Sequence, residues 1–297
     1  MNPLQHEAQQ SFDYTKAFRR NLGFISPDEQ KRLRNTRIAV AGLGGVGGAE
    51  VQALARLGIG HFTIADLDIF EVTNFNRQMG ATMDSIGRKK TEVIREMILS
   101  INPTAEVTVI ESGLNASNID EFLEGANVVL DALDFNCFDE RFMLYEKTRR
   151  KQIWTINVAP PGFGFSLFVF DPNGMTFEKY FDLRKEMTRE EKAFALMFGI
   201  APSLFPIKYT DRGALSLNQG AFPCVSPAFF LAAGIAATEA ANLILKKRTV
   251  RAVPWVWQFD ALLGASKKKY YAFGMQSPWQ RFKKYLIRQW MNRAKNV

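Results

Sequence analysis

The chain has 297 residues, of which 47% are hydrophobic and 23% charged, so it is large enough to bury the core of a soluble globular protein. It contains two cysteines and no CxxC pair, which argues against a disulfide framework and a cysteine-based zinc site. The net charge of +8 comes from the C-terminal segment, because residues 267–297 contain nine lysines and arginines and no acids. The first residues lack the apolar stretch of a secretory signal, so we expect a cytoplasmic protein.

An alternating pattern of strands and helices follows an expected helical arm over residues 12–36. Short β-branched runs predict strands at Arg37–Ala41, His61–Asp66, Glu106–Ile110, Asn127–Asp131 and Gln152–Asn157. The longer runs between them predict helices at Val46–Leu57, Ile86–Ser100, Ser117–Leu123 and Phe138–Arg150. Because such alternation is typical of right-handed βαβ crossovers, the predicted fold class is α/β, with a Rossmann-like, doubly wound and mostly parallel sheet.

The parallel rhythm ends after residue 160. Phe165–Phe170 and Trp255–Phe259 are predicted as further strands, the second of them late and antiparallel. The apolar run Pro227–Leu245 is nearly long enough to span a membrane, but a carboxylate at Glu239 would be costly in lipid. A buried helix is therefore expected there.

A single domain is expected over residues 1–265, followed by a basic amphipathic tail over residues 266–297. Ser277 and Pro278 are predicted to begin a helix in this tail. Its spacing places four apolar residues on one face, namely Trp279, Phe282, Leu286 and Trp290.

A glycine-rich loop joins the first predicted strand to the first predicted helix. Its sequence, Gly42-Leu43-Gly44-Gly45-Val46-Gly47, matches G-x-G-x-x-G, in which glycines let the backbone approach a phosphate at a helix N-terminus. Asp66 ends the second predicted strand, 24 residues after Gly42, where a carboxylate can bind ribose hydroxyls. The pattern predicts nucleotide binding and leaves NAD and ATP open.

Two cations and a carboxylate favour ATP. Arg77 lies in the segment NFNRQ, Lys90 follows Gly87 in a G-x-x-K pattern, and Asp134 follows the fourth predicted strand. Because strand ends of a doubly wound sheet converge on one edge, these side chains are expected at the same nucleotide. A triphosphate with magnesium needs such groups, since cations offset phosphate charge and a carboxylate holds the metal. The alternative is three unrelated surface side chains.

The segments GLGGVG, DLD, NFNRQ, G-x-x-K and D-x-x-D follow one another here in a specific order and spacing. In these features, and over about residues 18–259, the sequence resembles the ThiF/MoeB-type adenylyltransferases, the family that includes ubiquitin-activating enzymes. The resemblance implies an enzyme that uses ATP to activate a carboxylate as an acyl-adenylate and releases pyrophosphate. The carboxylate would be the C-terminus of a ubiquitin-like or sulfur-carrier protein, a peptide, or a small acid.

The resemblance also implies roles for individual residues. The nucleotide loop would be shaped by four glycines, Gly42, Gly44, Gly45 and Gly47. The pocket would be lined by Asp66 at the ribose and, beside it, by Asp68, Asn74 and Gln78. The catalytic groups would be Arg77 and Lys90 on the phosphates and Asp134 on Mg²⁺.

Family members also insert an N-terminal arginine into the nucleotide site of a partner subunit. Arg19 and Arg20 are the candidates here, and the local match favours Arg20, which implies a homodimer. The structural zinc of many members is not expected. Members with a catalytic thiol place it shortly before the long apolar helix. Cys224 lies a few residues beyond that position, so it is either a displaced thiol or, as we favour, a small buried residue.

Two other functions are kept as alternatives: an NAD(P)-dependent oxidoreductase and a catalytically silent nucleotide-binding scaffold. The oxidoreductase lacks a visible acid or base for hydride transfer, because His6 and His61 are badly placed. The basic tail could contact tRNA, a partner protein or an anionic membrane, or it could be a packed helix with solvated charges.

Overall fold

The computed structural model describes residues 12–211 and 223–294, the last five of these by their backbone alone. Within these residues an eight-stranded sheet forms, with the strand order β3-β2-β1-β4-β5-β6-β7-β8. Its strands are Arg37–Ala41 (β1), His61–Ala65 (β2), Glu106–Ile110 (β3), Val128–Asp131 (β4), Trp154–Ala159 (β5), Gly164–Phe170 (β6), Trp255–Asp260 (β7) and Ala265–Tyr270 (β8).

Helices cover both faces of this sheet. They are Tyr14–Ala17 (α1), Pro27–Arg34 (α2), Gly45–Leu57 (α3), Lys90–Ile101 (α4), Ile119–Phe122 (α5), Phe138–Arg150 (α6), Phe177–Phe181 (α7), Arg189–Ile200 (α8), Ser226–Leu245 (α9) and Pro278–Ala294 (α10). Local signals explain several boundaries. Ser26 and Glu29 form a capping box at the start of α2, and α3 ends at Gly58, which takes a left-handed conformation.

Strands β1 to β5 are parallel, and β6, β7 and β8 are antiparallel to their neighbours. The predicted mostly parallel sheet with late antiparallel strands is therefore confirmed. Because β1 lies between β2 and β4, the chain reverses its direction of growth across the sheet at β1. In doubly wound sheets, this reversal point forms the ligand crevice.

Most predicted element boundaries lie within two residues of the observed ones, and two segments differ more. The helix predicted from Ile86 begins four residues later, at Lys90, because Ile86 and Lys89 form isolated bridges to Phe70 and Ile69 and hold the segment extended. The second difference is strand β8, which was not predicted and lies in the segment assigned to the tail. Trp257 pairs in register with Lys268, and the indole nitrogen of Trp257 donates to Ser266 Oγ at 3.0 Å. The predicted domain boundary between residues 265 and 266 falls inside this strand.

The long apolar helix α9 packs against α3 and against strands β5 and β6. It is the helix in the described ranges that is long and apolar enough to cross a membrane. Its polar residues are nevertheless accommodated inside the protein, since Glu239 is 2% exposed and pairs with Arg248, and Asn242 is 5% exposed. The expectation of a buried helix agrees with this packing.

Candidate nucleotide-binding site

The glycine loop lies where the strand order reverses. It follows β1, and the segment that follows β4 lies directly beside it, because Ala132 N donates to Ala41 O at 2.9 Å. Gly42 has a φ of +91°, and a Cβ added there would stand 2.4 Å from the carbonyl oxygen of Ala132. Only glycine allows this approach. The loop then runs into the N-terminus of α3, where backbone N–H groups and the helix dipole favour an anion.

A ring from α9 covers part of the loop. A Cβ at Gly45 would lie 2.4 Å from the Phe229 ring, so the first turn of α9 packs directly on the loop backbone. The sequence analysis missed this contact, because residues 45 and 229 are far apart in the chain and Phe229 belongs to no nucleotide motif.

Asp66 is tied to the loop. Its Oδ2 accepts a hydrogen bond from Leu43 N at 2.6 Å, and its Oδ1 accepts one from Asp68 N at 2.8 Å. Burial raises the pKa of Asp66, and the nearby Lys90 ammonium acts in the opposite direction. The carboxylate therefore shapes the crevice and lies beside the cation.

Lys90 and Lys89 have opposite environments. Lys90 is 4% exposed, and its Nζ lies 2.9 Å from Asp68 Oδ2. Lys89 points outward and pairs with Glu111 on the surface at 2.6 Å. A phosphate in the crevice would compete with Asp68 for the Lys90 ammonium, whereas Lys89 is engaged elsewhere.

The NFNRQ segment forms the loop before α4. Arg77 Nη1 donates to Thr73 O at 3.1 Å and to Asn76 Oδ1 at 3.0 Å, both neutral acceptors. No ion pair neutralises the Arg77 guanidinium within the part of the chain that is described. The cation is therefore available to an anionic ligand.

Two further residues of this segment are buried. The Asn74 side chain stabilises its own turn, since its Oδ1 accepts a hydrogen bond from Glu71 N at 3.0 Å. Gln78 reaches toward Gly44, with its Nε2 3.6 Å from the position of an added Cβ. Gln78 Oε1 is buried, and no hydrogen bond to it is found among the described residues. A buried amide oxygen without a partner is suited to a ligand donor.

The two acids after β4 have different environments. Asp131 is 1% exposed and accepts hydrogen bonds from Arg141 Nε at 2.9 Å and Tyr145 OH at 3.1 Å. Asp134 is exposed, and its carboxylate has no partner in the described ranges. Arg141 also donates to the Asp134 carbonyl at 3.3 Å, so it fixes the backbone that carries the free carboxylate. The sequence analysis missed Arg141 and Tyr145, because their pairing depends on the packing of α6.

Among residues 12–211 and 223–294, no cluster of three or more His, Cys, Asp or Glu side chains could hold a metal. Mg²⁺ bound together with a nucleotide does not need such a cluster, because it usually takes one or two carboxylates plus phosphate oxygens and water.

The cysteines differ in their surroundings. Asn76 Nδ2 donates to Cys224 O at 3.2 Å and lies 3.7 Å from its Sγ, so Cys224 stands next to the NFNRQ loop. It is partly buried. Burial raises the pKa of Cys137 to about 11, which keeps that thiol protonated at neutral pH.

Arg20 lies far from the glycine loop of its own chain. The neighbouring Asn21 donates to Leu57 O, the last residue of α3, at 3.1 Å. The loop lies at the other end of α3, and a helix of 13 residues is about 20 Å long. Arg20 itself is exposed.

The chain matches the model of the ThiF family over residues 18–272, and it therefore belongs to that family. The tRNA threonylcarbamoyladenosine dehydratase of Haemophilus influenzae is 40% identical over 135 residues, which are 45% of this chain and 52% of that protein. The match thus spans about half of that relative. The SAMP-activating enzyme E1 of Haloferax volcanii is 29% identical over 198 residues, 66% of this chain and 73% of that protein.

Among solved structures, E. coli MccB with ATP superposes with a TM-score of 0.58 at 21% identity, covering 84% of this chain and 66% of MccB. This likeness supports the fold. The resemblance inferred from the sequence motifs and the ThiF/MoeB-like fold are both confirmed.

Glu50 is an unusual residue beneath the loop. It lies on α3 and is 1% exposed, and neither carboxyl oxygen has a hydrogen-bond partner in the described part of the chain. Burial, and to a smaller extent the charge of Asp131, raise the pKa of Glu50 to about 8. The side chain is therefore protonated at neutral pH.

This burial predicts a pH-dependent stability that Glu50→Gln removes. The raised pKa means that only the unfolded state ionises as the pH rises from about 4.5 to 8, so wild-type stability falls in that window. Between pH 6 and pH 9, the wild type should lose about 2 to 3 kcal/mol more unfolding free energy than the variant. Urea unfolding at several pH values measures this difference. Glu124→Gln, an exposed control, should follow the wild type. Parallel curves for wild type and Glu50→Gln would show that Glu50 is not buried in its neutral form.

Proposed function

We propose that the chain is an ATP-dependent adenylyltransferase that activates a carboxylate as an acyl-adenylate. The observation that carries this proposal is the distribution of charge around the glycine loop. Strand β1 lies between β2 and β4. The buried Lys90 and Asp66 therefore lie on one side of the loop, and the unpaired Asp134 carboxylate lies on the other. This arrangement suits a nucleotide triphosphate with its counter-ion.

In the proposed reaction, the N–H groups at the start of α3 bind the phosphates and Asp66 binds the ribose. An oxygen of the substrate carboxylate attacks the α-phosphorus of ATP. The bond from that phosphorus to the oxygen bridging to the β-phosphate breaks, and pyrophosphate leaves with the electron pair. The nucleophile is already anionic, so positioning and charge stabilisation by Lys90 and Arg77 supply the catalysis without a general base. Mg²⁺ held by Asp134 would neutralise phosphate charge.

The oxidoreductase alternative receives little support from the site. His61 begins β2 and faces Glu106, whereas the loop and Asp66 lie at the opposite end of the strands. His6 lies outside the described residues. A silent scaffold would not need Arg77, Lys90 and Asp134, all of which this chain carries.

The substrate is proposed to be a carboxylate, either on a larger molecule or in a small acid. The relatives' names point to larger targets: one relative is an enzyme that activates SAMP, and the other acts on tRNA threonylcarbamoyladenosine. A C-terminal carboxylate of a ubiquitin-like or sulfur-carrier protein or a peptide fits the same chemistry, as does a small acid. Cys224, beside Asn76, is the candidate acceptor if a thioester step follows. The cytoplasmic location also stays a prediction.

We further infer a homodimer in which Arg20 serves the partner's site. The neighbouring Asn21 is anchored at the far end of α3, which places residue 20 about one helix length, or about 20 Å, from the loop of its own chain. An arginine that cannot reach its own nucleotide can act only across a subunit interface.

Lys90→Met should weaken Mg-ATP binding about 10- to 100-fold, because it removes a charge-assisted contact to phosphate. Lys89→Met is the matched control, since it removes an adjacent lysine that pairs with Glu111 at the surface. Its affinity should stay near that of the wild type. Isothermal titration with Mg-ATP measures both. Equal effects of the two substitutions would refute the assignment of Lys90.

Complementation tests the dimer. Arg20→Ala and Lys90→Met chains, co-expressed with different tags, should give a heterodimer that binds one Mg-ATP tightly, because one of its two sites has both residues. Each variant homodimer should bind weakly, and Arg19→Ala should bind like the wild type. A heterodimer without a tight site would contradict the action of Arg20 in trans and leave the Lys90 result unaffected.

A further inference from the structure

The C-terminal helix α10 is fixed to the protein by its polar side. Gln280 is 3% exposed, Lys283 Nζ donates to Pro202 O at 2.6 Å, and Lys284 Nζ lies 3.2 Å from Asp182 Oδ2. Ile287 packs on the aromatic cluster formed by α7, α8 and β6. These contacts determine which face of the helix points to solvent.

The outward face is apolar. Four large side chains on it are exposed by 62%, 51%, 58% and 48%, in the order Trp279, Phe282, Tyr285 and Leu286. Their spacing of three and four residues places them on one side of a helix. The sequence predicted a shared apolar face, but a helix of a globular domain normally turns that face to the core. The side chain of Trp290 is not described.

Cations from β8 lie beside α10, near its docked side. The register pairs Lys267 with Gln258 and Lys269 with Val256, both buried, which places the two lysines on the side of the sheet that α8 covers. The pKa of Lys283 is lowered mainly by burial and in addition by the charges of Lys269 and Lys267, so the three ammonium groups are near one another. Neither Lys267 nor Lys269 has an ion pair within the described residues.

Phe273, in the segment between β8 and α10, is also 68% exposed. We call the whole area the aromatic-basic surface. It comprises Lys267, Lys269, Phe273, Trp279, Phe282, Tyr285 and Leu286. Contiguous exposed apolar patches of this kind mark interaction sites.

We propose that the aromatic-basic surface binds reversibly to an anionic lipid bilayer, with α10 lying in the headgroup region parallel to the membrane. Helices that lie at the interface combine an apolar face, rich in Trp, Phe and Leu, with flanking Lys and Arg. The charge is complementary, since Lys267 and Lys269 beside the helix have no ion pair in the described residues, and residues 267–297 contain no acids. This interaction is separate from the proposed adenylation.

Other partners fit less well. Pairing of two copies through this surface would bring their lysines together, which is repulsive. Nucleic acid would use the rings for stacking, but Leu286 offers no ring. Leu286 lies one helical turn from Phe282, and such a pair suits insertion among lipid chains. A bilayer accommodates both the cations and all four apolar side chains.

Vesicle cosedimentation with the full-length protein tests the proposal. Vesicles of phosphatidylcholine with phosphatidylglycerol should bind the wild type. Vesicles of phosphatidylcholine alone should bind it more weakly, with the affinity lower by about fivefold for each cation that reaches the surface. The double variant Trp279→Ser/Phe282→Ser should lose about tenfold or more of the binding. Met83→Ser is the matched control, because Met83 is 75% exposed and lies elsewhere. It should bind like the wild type.

All these positions are exposed, so the variants should keep the wild-type thermal unfolding temperature. Absence of binding to the anionic vesicles at low salt would overturn the proposal. Binding that the double substitution leaves unchanged would do the same. If the protein binds tRNA instead, or if the substitution abolishes an oligomer seen by light scattering, the surface serves RNA or self-association and the lipid assignment is wrong.

Discussion

The nucleotide crevice depends on one close approach, that of Gly42 to the backbone of Ala132. At this point the strand order reverses, and the segments after β1 and β4 come into contact. A side chain at residue 42 would collide with the Ala132 carbonyl at 2.4 Å. The contact holds the N-terminus of α3 open toward the crevice and places Asp134 beside it.

Most charges near the crevice are neutralised within the protein. Asp131 is balanced by Arg141, Glu50 is protonated, and Lys90 shares its charge with Asp68. Arg77 and Asp134 remain without an ion pair in the described residues. A site with one free cation, one cation held by an exchangeable partner and one free carboxylate suits a ligand that brings both phosphate and a metal ion. The charge distribution therefore favours a triphosphate over a dinucleotide.

Much of this could be predicted from the sequence, because buried parallel strands form β-branched runs and the glycine loop needs glycines at fixed positions. The contacts between residues distant in the chain, and the face that a helix turns to solvent, could not be predicted. Strand β8 was missed because its lysines lie on an edge strand and show no apolar alternation. The start of α4 was missed because tertiary bridges to Phe70 override the local helical pattern. Periodicity gave the composition of the apolar face of α10, but its outward direction is set by the contacts of Lys283 and Lys284 with the rest of the protein.

Thermal stabilisation by nucleotides, with and without Mg²⁺, tests the central claim most directly. A ligand that binds only the folded state raises the melting temperature by mass action. Mg-ATP should raise the melting temperature of the wild type and of the control variant Asp139→Ala, which changes an exposed acid on α6. The Asp134→Ala variant should lose most of the part of this shift that depends on Mg²⁺. NAD and NADP should have little effect. Stabilisation by NAD or NADP but not by Mg-ATP would contradict the adenylyltransferase assignment and show that the glycine loop serves redox chemistry.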